Sequence, residues 1–321
     1  MRVAITGATG LLGSNLLIAL LEQGHQVVAT RRATSRSDHL EGLDIEWFEA
    51  SLSDPESLTR AFKDCDVVFH CAAAVSIRFK IEPWIVQANV DGTRNIIEAV
   101  KGAGVRRLVH CSTVAAVGLS LDGEPCDENA QWNMPEFGLG DAYVTTKRQA
   151  QEIVLEAARG GLDAVIVNPT YMIGPFDSKP SSGTLVVNLL KGKVPSHTLG
   201  KNNFVDVRDV AQGMILAMEK GRAGELYILG GHNMTYKEFM DRVSETVGAP
   251  VVRRRVPHWV ARIFGWMGDL GSQLTGNEPL LNTATVLWSQ TDRFIFSSDK
   301  AIRELGYQIS PIEPAIQDAT A

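Results

Sequence analysis

What the chain lacks narrows its class first. Its four cysteines, Cys65, Cys71, Cys111 and Cys126, form no C-x-x-C pair and stand at no metal-ligand spacing from the seven histidines. Neither a metal site nor a disulfide framework is therefore expected. Three of the thiols lie in or beside apolar strand-like runs, where reduced cysteine behaves as a small hydrophobe, so a reducing cytoplasm is the expected compartment. No uninterrupted apolar run approaches the roughly 18 residues of a membrane span. The stretch from Met1 to Leu21 has glycines at regular spacing and no small-residue cleavage site, which speaks against a signal peptide. Basic runs are short: Arg253-Arg254-Arg255 is flanked by valines, and the formal net charge is -6. Nucleic acid and membrane surface are thus not expected as partners. Internal repeats and low-complexity segments are also missing.

What is present fits an ordinary globular enzyme. The 321 residues are 45% hydrophobic and 21% charged, enough to bury a core without staples. Apolar runs at 2–6, 26–30, 45–48, 67–70, 107–111 and 164–168 alternate with helical patterns at 11–23, 55–63, 85–101 and 142–159. Strands of continuous Val, Ile and Leu are those of a parallel sheet covered on both faces. The expected fold is α/β, a doubly wound parallel Rossmann sheet with a smaller, mostly helical C-terminal substrate lobe. Residues 1–172 are expected to bind the dinucleotide, with 204–231 returning to that domain through a strand at 204–207, a helix at 209–219 and a strand at 226–229. The segments 173–203, with one helix at 184–191, and 232–321 make up the lobe. Trp259, Phe264 and Trp266 at helical spacing in 258–275 read as lobe core, or else as the wall of an apolar substrate pocket.

The segment Thr6-Gly7-Ala8-Thr9-Gly10-Leu11-Leu12-Gly13 joins the first strand to the first helix. Glycines there permit a tight turn and a close backbone approach to a pyrophosphate, which the N–H groups at the helix start then bind. Thr6, Gly7, Thr9, Gly10, Leu11, Leu12 and Gly13 are the expected cradle. After the second strand, where an acidic residue would bind ribose hydroxyls, stand Arg31 and Arg32, with Arg36 nearby. A charged hydrogen bond to a 2'-phosphate contributes about 1.5–3 kcal/mol, so NADP(H) is expected rather than NAD(H). Tyr143-Val144-Thr145-Thr146-Lys147 is a Y-x-x-x-K sequence. On a helix its phenol and ammonium share one face, and the cation is expected to make the phenol's proton labile.

Together these segments resemble the extended short-chain dehydrogenase/reductase family, the NAD-dependent epimerase/dehydratase superfamily, along nearly the whole chain. T-G-x-x-G-x-x-G at residues 6–13 is that family's opening. His70-Cys71-Ala72-Ala73-Ala74 is similar to its N-A-A-G stretch, which implies cofactor contacts from Cys71, Ala72 and Ala73. Asn89-Val90-Asp91-Gly92-Thr93 is similar to its N-V-x-G-T brace. Where the family has an aspartate for the adenine amino group, this chain has Ser51-Leu52, with Asp54 nearby. Either Ser51 or Asp54 stands in for it.

Ser112-Thr113 through Gly118 resembles the S-S-x-x-x-x-G turn, which implies a catalytic hydroxyl at Thr113 and a cofactor-lining Ser112. Asn168-Pro169-Thr170 with Ile173-Gly174-Pro175 resembles the segment beside the nicotinamide. Val75, Thr113, Ala115 and Tyr171 are the candidate substrate contacts, Tyr171 being as readily a core aromatic. The resemblance implies hydride transfer between NADPH and a ketone or aldehyde, with Tyr143, Lys147 and Thr113 catalytic. Dihydroflavonol-4-reductase-like and hopanoid-associated sugar-epimerase-like members are the subgroups it suggests. Epimerases or dehydratases of nucleotide sugars and 3β-hydroxysteroid dehydrogenases share the scaffold, and a sugar diphosphate would need cations such as Lys179, Lys191, Lys193 or Lys201. A regulator on this fold is disfavoured, because such proteins often lose the tyrosine or lysine. The resemblance also implies a homodimer packed through the helices near 85–101 and 142–159 as a four-helix bundle.

Overall fold

A computed structural model describes residues 1–76, 78–177, 183–275 and 282–320. The apolar runs become strands β1 (Arg2–Thr6), β2 (Gln26–Arg31), β3 (Ile45–Glu49), β4 (Val67–His70), β5 (Arg107–Cys111), β6 (Ala164–Pro169), β7 (Tyr171–Ile173), β8 (Lys201–Asp206), β9 (Leu226–Leu229) and β10 (His232–Thr235). Among the described residues, seven of them form one parallel sheet in the order β3-β2-β1-β4-β5-β6-β9. The helices between them are α1 (Leu11–Glu22), α2 (Pro55–Ala61), α3 (Pro83–Val86), α4 (Gly92–Gly102), α5 (Ala142–Arg159), α6 (Thr184–Leu190), α7 (Val207–Lys220), α8 (Tyr236–Val247), α9 (His258–Thr275), α10 (Thr283–Gln290), α11 (Asp299–Leu305) and α12 (Glu313–Asp318).

The two-residue period of a strand sorts the core into two layers. Val3, Ile5, Val27 and Ala29 point toward Leu16, Leu17 and Leu20 of α1 and Met214 and Met218 of α7. Their neighbours Ala4, Val28, Val68 and Leu108 point the other way, toward Leu58 of α2, Ile96 and Val100 of α4 and Val154 of α5. The sheet is therefore covered on both faces, as continuous apolar strands require.

Three features depart from the sequence expectation. The helix expected over 85–101 is broken into α3 and α4 by a π turn at Gln87–Asp91. The strand expected at 204–207 is β8, and it pairs with β7 and β10 in a separate three-stranded sheet rather than returning to the large one. Around that small sheet Phe204 stacks on Phe239 at 4.0 Å, within a third core that includes Ile173, Leu189 and Ile312. The aromatics of α9 are neither core nor pocket wall: Trp259, Phe264 and Trp266 are 67%, 55% and 63% exposed. Trp288 of α10 does turn inward, donating from Nε1 to Asp141 Oδ2 at 3.0 Å.

In mid-sheet, His70 of β4 and His110 of β5 lie side by side, both buried, with ring centroids 5.2 Å apart. His70 Nδ1 meets Thr6 Oγ1 at 2.8 Å. Neither ring nitrogen of His110 has a partner among the described residues. Burial, with the Lys147 charge adding to it, holds His70 down at about 3 and His110 well below the ordinary 6.5. Both rings are uncharged in the fold at neutral pH, whereas in the unfolded chain each takes up a second proton from about pH 6.5 downward. Stability is therefore full above that pH and falls as pH drops toward 3, by at most about 1.4 kcal/mol per pH unit for each ring. Urea unfolding between pH 6.5 and 5, above most carboxylate titrations, checks this, and His70→Gln should flatten the slope.

Candidate active site

The strand order reverses between β1 and β4, so the loops leaving their carboxyl ends diverge and open a crevice, the usual ligand site of such sheets. Its floor is backbone against backbone. Gly7 has φ +75°, and a Cβ there would lie 2.6 Å from Ala72 N; a Cβ on Gly13 would lie 2.1 Å from Gly7 O. Packing within the fold thus demands both glycines. Gly10 differs: it is exposed, and a Cβ there would meet nothing nearer than Gly7 O at 3.5 Å. Gly10 caps α1, whose first N–H groups have no partner within the helix, so the space it leaves suits an anion on the helix start.

The crevice encloses about 690 Å³ and is lined by Thr6, Gly7, Thr9, Gly10 and Leu11 from the first turn, Arg31 and Arg32 from the end of β2, Ser51 and Leu52 after β3, and Cys71, Ala72, Ala73 and Val75 after β4. Leu12 and Gly13 are buried within α1, and Arg36 lies exposed on the stretch after β2. The Arg31 guanidinium lies 4.8 Å over the Trp47 ring and donates to Ser37 Oγ at 2.8 Å. Between the two candidates for the adenine contact, the structure separates the roles. Asp54 Oδ1 accepts from the N–H groups of Glu56 and Ser57, both at 3.1 Å, as the cap of α2, while Ser51 faces the crevice.

At the other end, Asp141 starts α5. It is buried, accepts from Val144 N at 2.9 Å and from Trp288 Nε1, and burial raises its carboxyl above the usual range. Tyr143 and Lys147 follow on one face. Burial pushes the Tyr143 phenol well above its ordinary value and Cys111 and Asp141 add to this, while the Thr113 side chain pulls the other way. The expected lowering by Lys147 is not what the geometry provides. Lys147 Nζ donates to the Cys111 carbonyl at 2.7 Å, and burial lowers its own pKa.

Thr113 is brought against Tyr143 and also caps the short turn Val114–Ala116, accepting from Ala115 N at 3.3 Å. The Ser112 hydroxyl, expected to line the cofactor, is turned into α5, where it donates to Gln151 Oε1 at 2.7 Å. Asn168 Nδ2 donates to the same oxygen at 2.7 Å and to Thr113 O at 2.8 Å. Gln151, which holds both side chains, is a residue of this site that sequence reasoning passed over. Its only signal is helical spacing, four residues beyond Lys147. Asn168 Oδ1 and Thr170 Oγ1 are buried with no partner among the described residues. Buried polar atoms left open in this way suit a ligand's amide or hydroxyls.

Asn89 sits in the π turn, where its amide pairs both ways with the Ala74 backbone at 2.7 and 2.9 Å and donates to Thr146 Oγ1 at 3.0 Å. It ties the crevice wall to α5. Pro169 ends β6 beside Asn168. Of the candidate substrate contacts, Val75 stands 60% exposed on the crevice wall and Thr113 faces Tyr143. Ala115 is buried with its carbonyl accepting from Trp132 Nε1, and Tyr171 packs edge-on to Phe204 at 5.3 Å in the third core. Lys191, Lys193 and Lys201 are exposed and do not line the crevice; Lys179 lies outside the described residues.

Comparison with known proteins agrees with this architecture. The model of the NAD-dependent epimerase/dehydratase family matches residues 3–230. A Synechocystis sp. protein with the provisional name dihydroflavonol 4-reductase is 37% identical over 320 residues, covering 98% of this chain and 92% of its own. A ketoreductase of Stigmatella aurantiaca acting on 4-hydroxy-2-methyl-3-oxo-4-farnesyl-3,4-dihydroquinoline-1-oxide is 31% identical over 317 residues, covering 96% and 92%. The crystal structure of gox2253 superposes with a TM-score of 0.85 at 35% identity, covering 99% of this chain and 96% of that one.

The glycines give a paired prediction. Gly13→Ala should destabilise the fold by about 1–3 kcal/mol, because the new methyl meets backbone. Gly10→Ala should leave Tm nearly unchanged and weaken dinucleotide binding by roughly tenfold or more. Thermal melts and dinucleotide titrations of the two variants check both halves.

Proposed function

The chain belongs to the NAD-dependent epimerase/dehydratase family, and from that membership we propose that it is an NADP(H)-dependent reductase of a ketone or aldehyde. The observation that carries this reading is the meeting of Tyr143 and Thr113 beside a buried Lys147, at the carboxyl end of β5. When bound, the dinucleotide supplies the hydride. Thr6, Gly7, Thr9, Gly10 and Leu11 would hold its pyrophosphate, and Cys71, Ala72 and Ala73 would lie along it. Lys147 would take the nicotinamide ribose hydroxyls, and Asn168, Pro169 and Thr170 would flank the nicotinamide.

The rest is the work of this chain's own groups. Thr113 Oγ1 donates to the substrate carbonyl oxygen and polarises it toward attack. The Tyr143 phenol, protonated at neutral pH because burial holds its pKa up, passes its proton to the oxygen as alkoxide charge develops. The ammonium of Lys147 then stabilises the phenolate left behind. In this assignment residues 1–172 and 204–231 serve the dinucleotide, and 173–203 with 232–321 serve the substrate.

NADP(H) over NAD(H) is supported by Arg31, Arg32 and Arg36 at the end of β2, the first two lining the crevice. Reduction over epimerisation is supported by the Stigmatella ketoreductase and by the lysines. Of those an epimerase would need for a sugar diphosphate, Lys191, Lys193 and Lys201 stand exposed outside the crevice. The family's own description favours the second reading, an epimerase or dehydratase of nucleotide sugars. Such an enzyme retains its dinucleotide through turnover, whereas a reductase exchanges it each cycle. The proposal extends to a cytoplasmic homodimer built on α4 and α5, which the four free cysteines suit.

Tyr143→Phe should lower kcat by about 10²–10⁴ with dinucleotide binding retained; near-normal turnover across active carbonyl substrates would refute the assignment. Replacing Arg31 and Arg32 by Ala should weaken NADP⁺ relative to NAD⁺ by roughly tenfold or more, read by competitive titration.

A further inference from the structure

Helix α9 is built inside out. A surface helix ordinarily buries its large apolar side chains and presents polar ones to water. Here, among the described residues, the buried positions carry only Ala261 and Gly265, and a Cβ on Gly265 would lie 3.1 Å from both Asn282 O and Thr283 Cα at the start of α10, so even a methyl there would press on its neighbours. Its large apolar residues point outward instead. Trp259, Ile263, Trp266 and Leu270 form one exposed stripe at helical spacing, flanked by Phe264 and Met267.

Between residues 251 and 271 arginines outnumber carboxylates four to one. Arg253, Arg254 and Arg255, just before the helix, are exposed, and so is Arg262 on the helix itself. The one carboxylate between residues 251 and 271 is Asp269, and its Oδ2 is taken up by Thr283 N at 3.1 Å. The chain as a whole carries a net charge of -6, so this face gathers cations against the general trend.

We propose that α9 and the preceding arginines form a docking surface for an anionic lipid bilayer. The helix lies in the plane of the interface, with Trp259 and Trp266 at the acyl boundary, where their amphipathic rings are favoured, and Arg253, Arg254, Arg255 and Arg262 on headgroup phosphates. An apolar stripe alone would fit a second copy equally well, but among the described residues from 251 to 275 a second copy offers the arginines only Asp269, which already accepts from Thr283 N. The proposal runs against the expectation drawn from net charge, which averages over the segregation. It also lies one helix from the candidate active site, because α10 carries the Trp288 that binds Asp141 at the start of α5.

The test uses the full chain with vesicles of phosphatidylcholine containing about 30% phosphatidylglycerol, against phosphatidylcholine alone. The chain should cosediment with the anionic vesicles, less so as salt is raised, and its tryptophan emission should move to the blue. Trp259→Glu with Trp266→Glu should cut the bound fraction at least about tenfold, and replacing Arg253, Arg254 and Arg255 by Ser should do the same. Tm should hold in both variants, because these side chains are exposed. Equal binding to neutral vesicles, or binding to neither, would overturn the proposal. So would a dimer in lipid-free buffer that the tryptophan variant dissociates, which would assign the stripe to a second copy.

Discussion

The contact on which the rest depends is the approach of two backbones, Gly7 after β1 and Ala72 after β4, so close that a single methyl would not fit between them. It follows from the sheet's strand order. Chain leaves β1 toward one edge and β4 toward the other, so no loop crosses the gap between them, and the gap stays open as a crevice. Two glycines close its floor. A third, Gly10, leaves free the space in front of the first N–H groups of α1. In the proposed function, anion recognition is thus a property of backbone geometry, with the arginines after β2 adding charge at one end.

The other end is held by a buried polar network. Gln151 of α5 receives Ser112 from just after β5 and Asn168 from β6, and Asn168 in turn holds the Thr113 carbonyl. Each of these polar atoms is out of water, where a broken partnership costs about 1–3 kcal/mol, so the network fixes α5 against the ends of two strands. Trp288 and Asp141 fix the start of the same helix. The phenol of Tyr143 is thereby presented at one place with a raised pKa, which suits a group that gives up its proton only as negative charge appears beside it. In the proposed reaction Lys147, anchored on a carbonyl, would respond as that charge develops.

Much of this was legible in the chain. Strands of the large sheet announce themselves because both faces are buried, so Val67-Val68-Phe69 and Ala164-Val165-Ile166-Val167 read as unbroken apolar runs. The glycine turn and Y-x-x-x-K are legible because their spacing is the chemistry. The small sheet is not, since β7 has three residues and His232–Thr235 shows no apolar alternation, and Phe204-Val205 would be equally apolar in either sheet. Periodicity located the apolar stripe of α9 but not which way it faces, because that is set by the tight fit of Gly265 against α10. Lys147's partner is a backbone carbonyl, which no side-chain pattern records, and Gln151 belongs to no motif.

A crystal structure of the chain with NADP⁺ bound tests the central claim most directly. The account predicts the pyrophosphate on the turn of Gly7 and Gly10, with the nicotinamide beside Asn168 and Thr170. It further predicts the Tyr143 oxygen facing the ring, and Lys147 Nζ drawn from the Cys111 carbonyl to the ribose. A dinucleotide seated elsewhere, or a Tyr143 oxygen turned away from the ring with Lys147 still on Cys111, would contradict it.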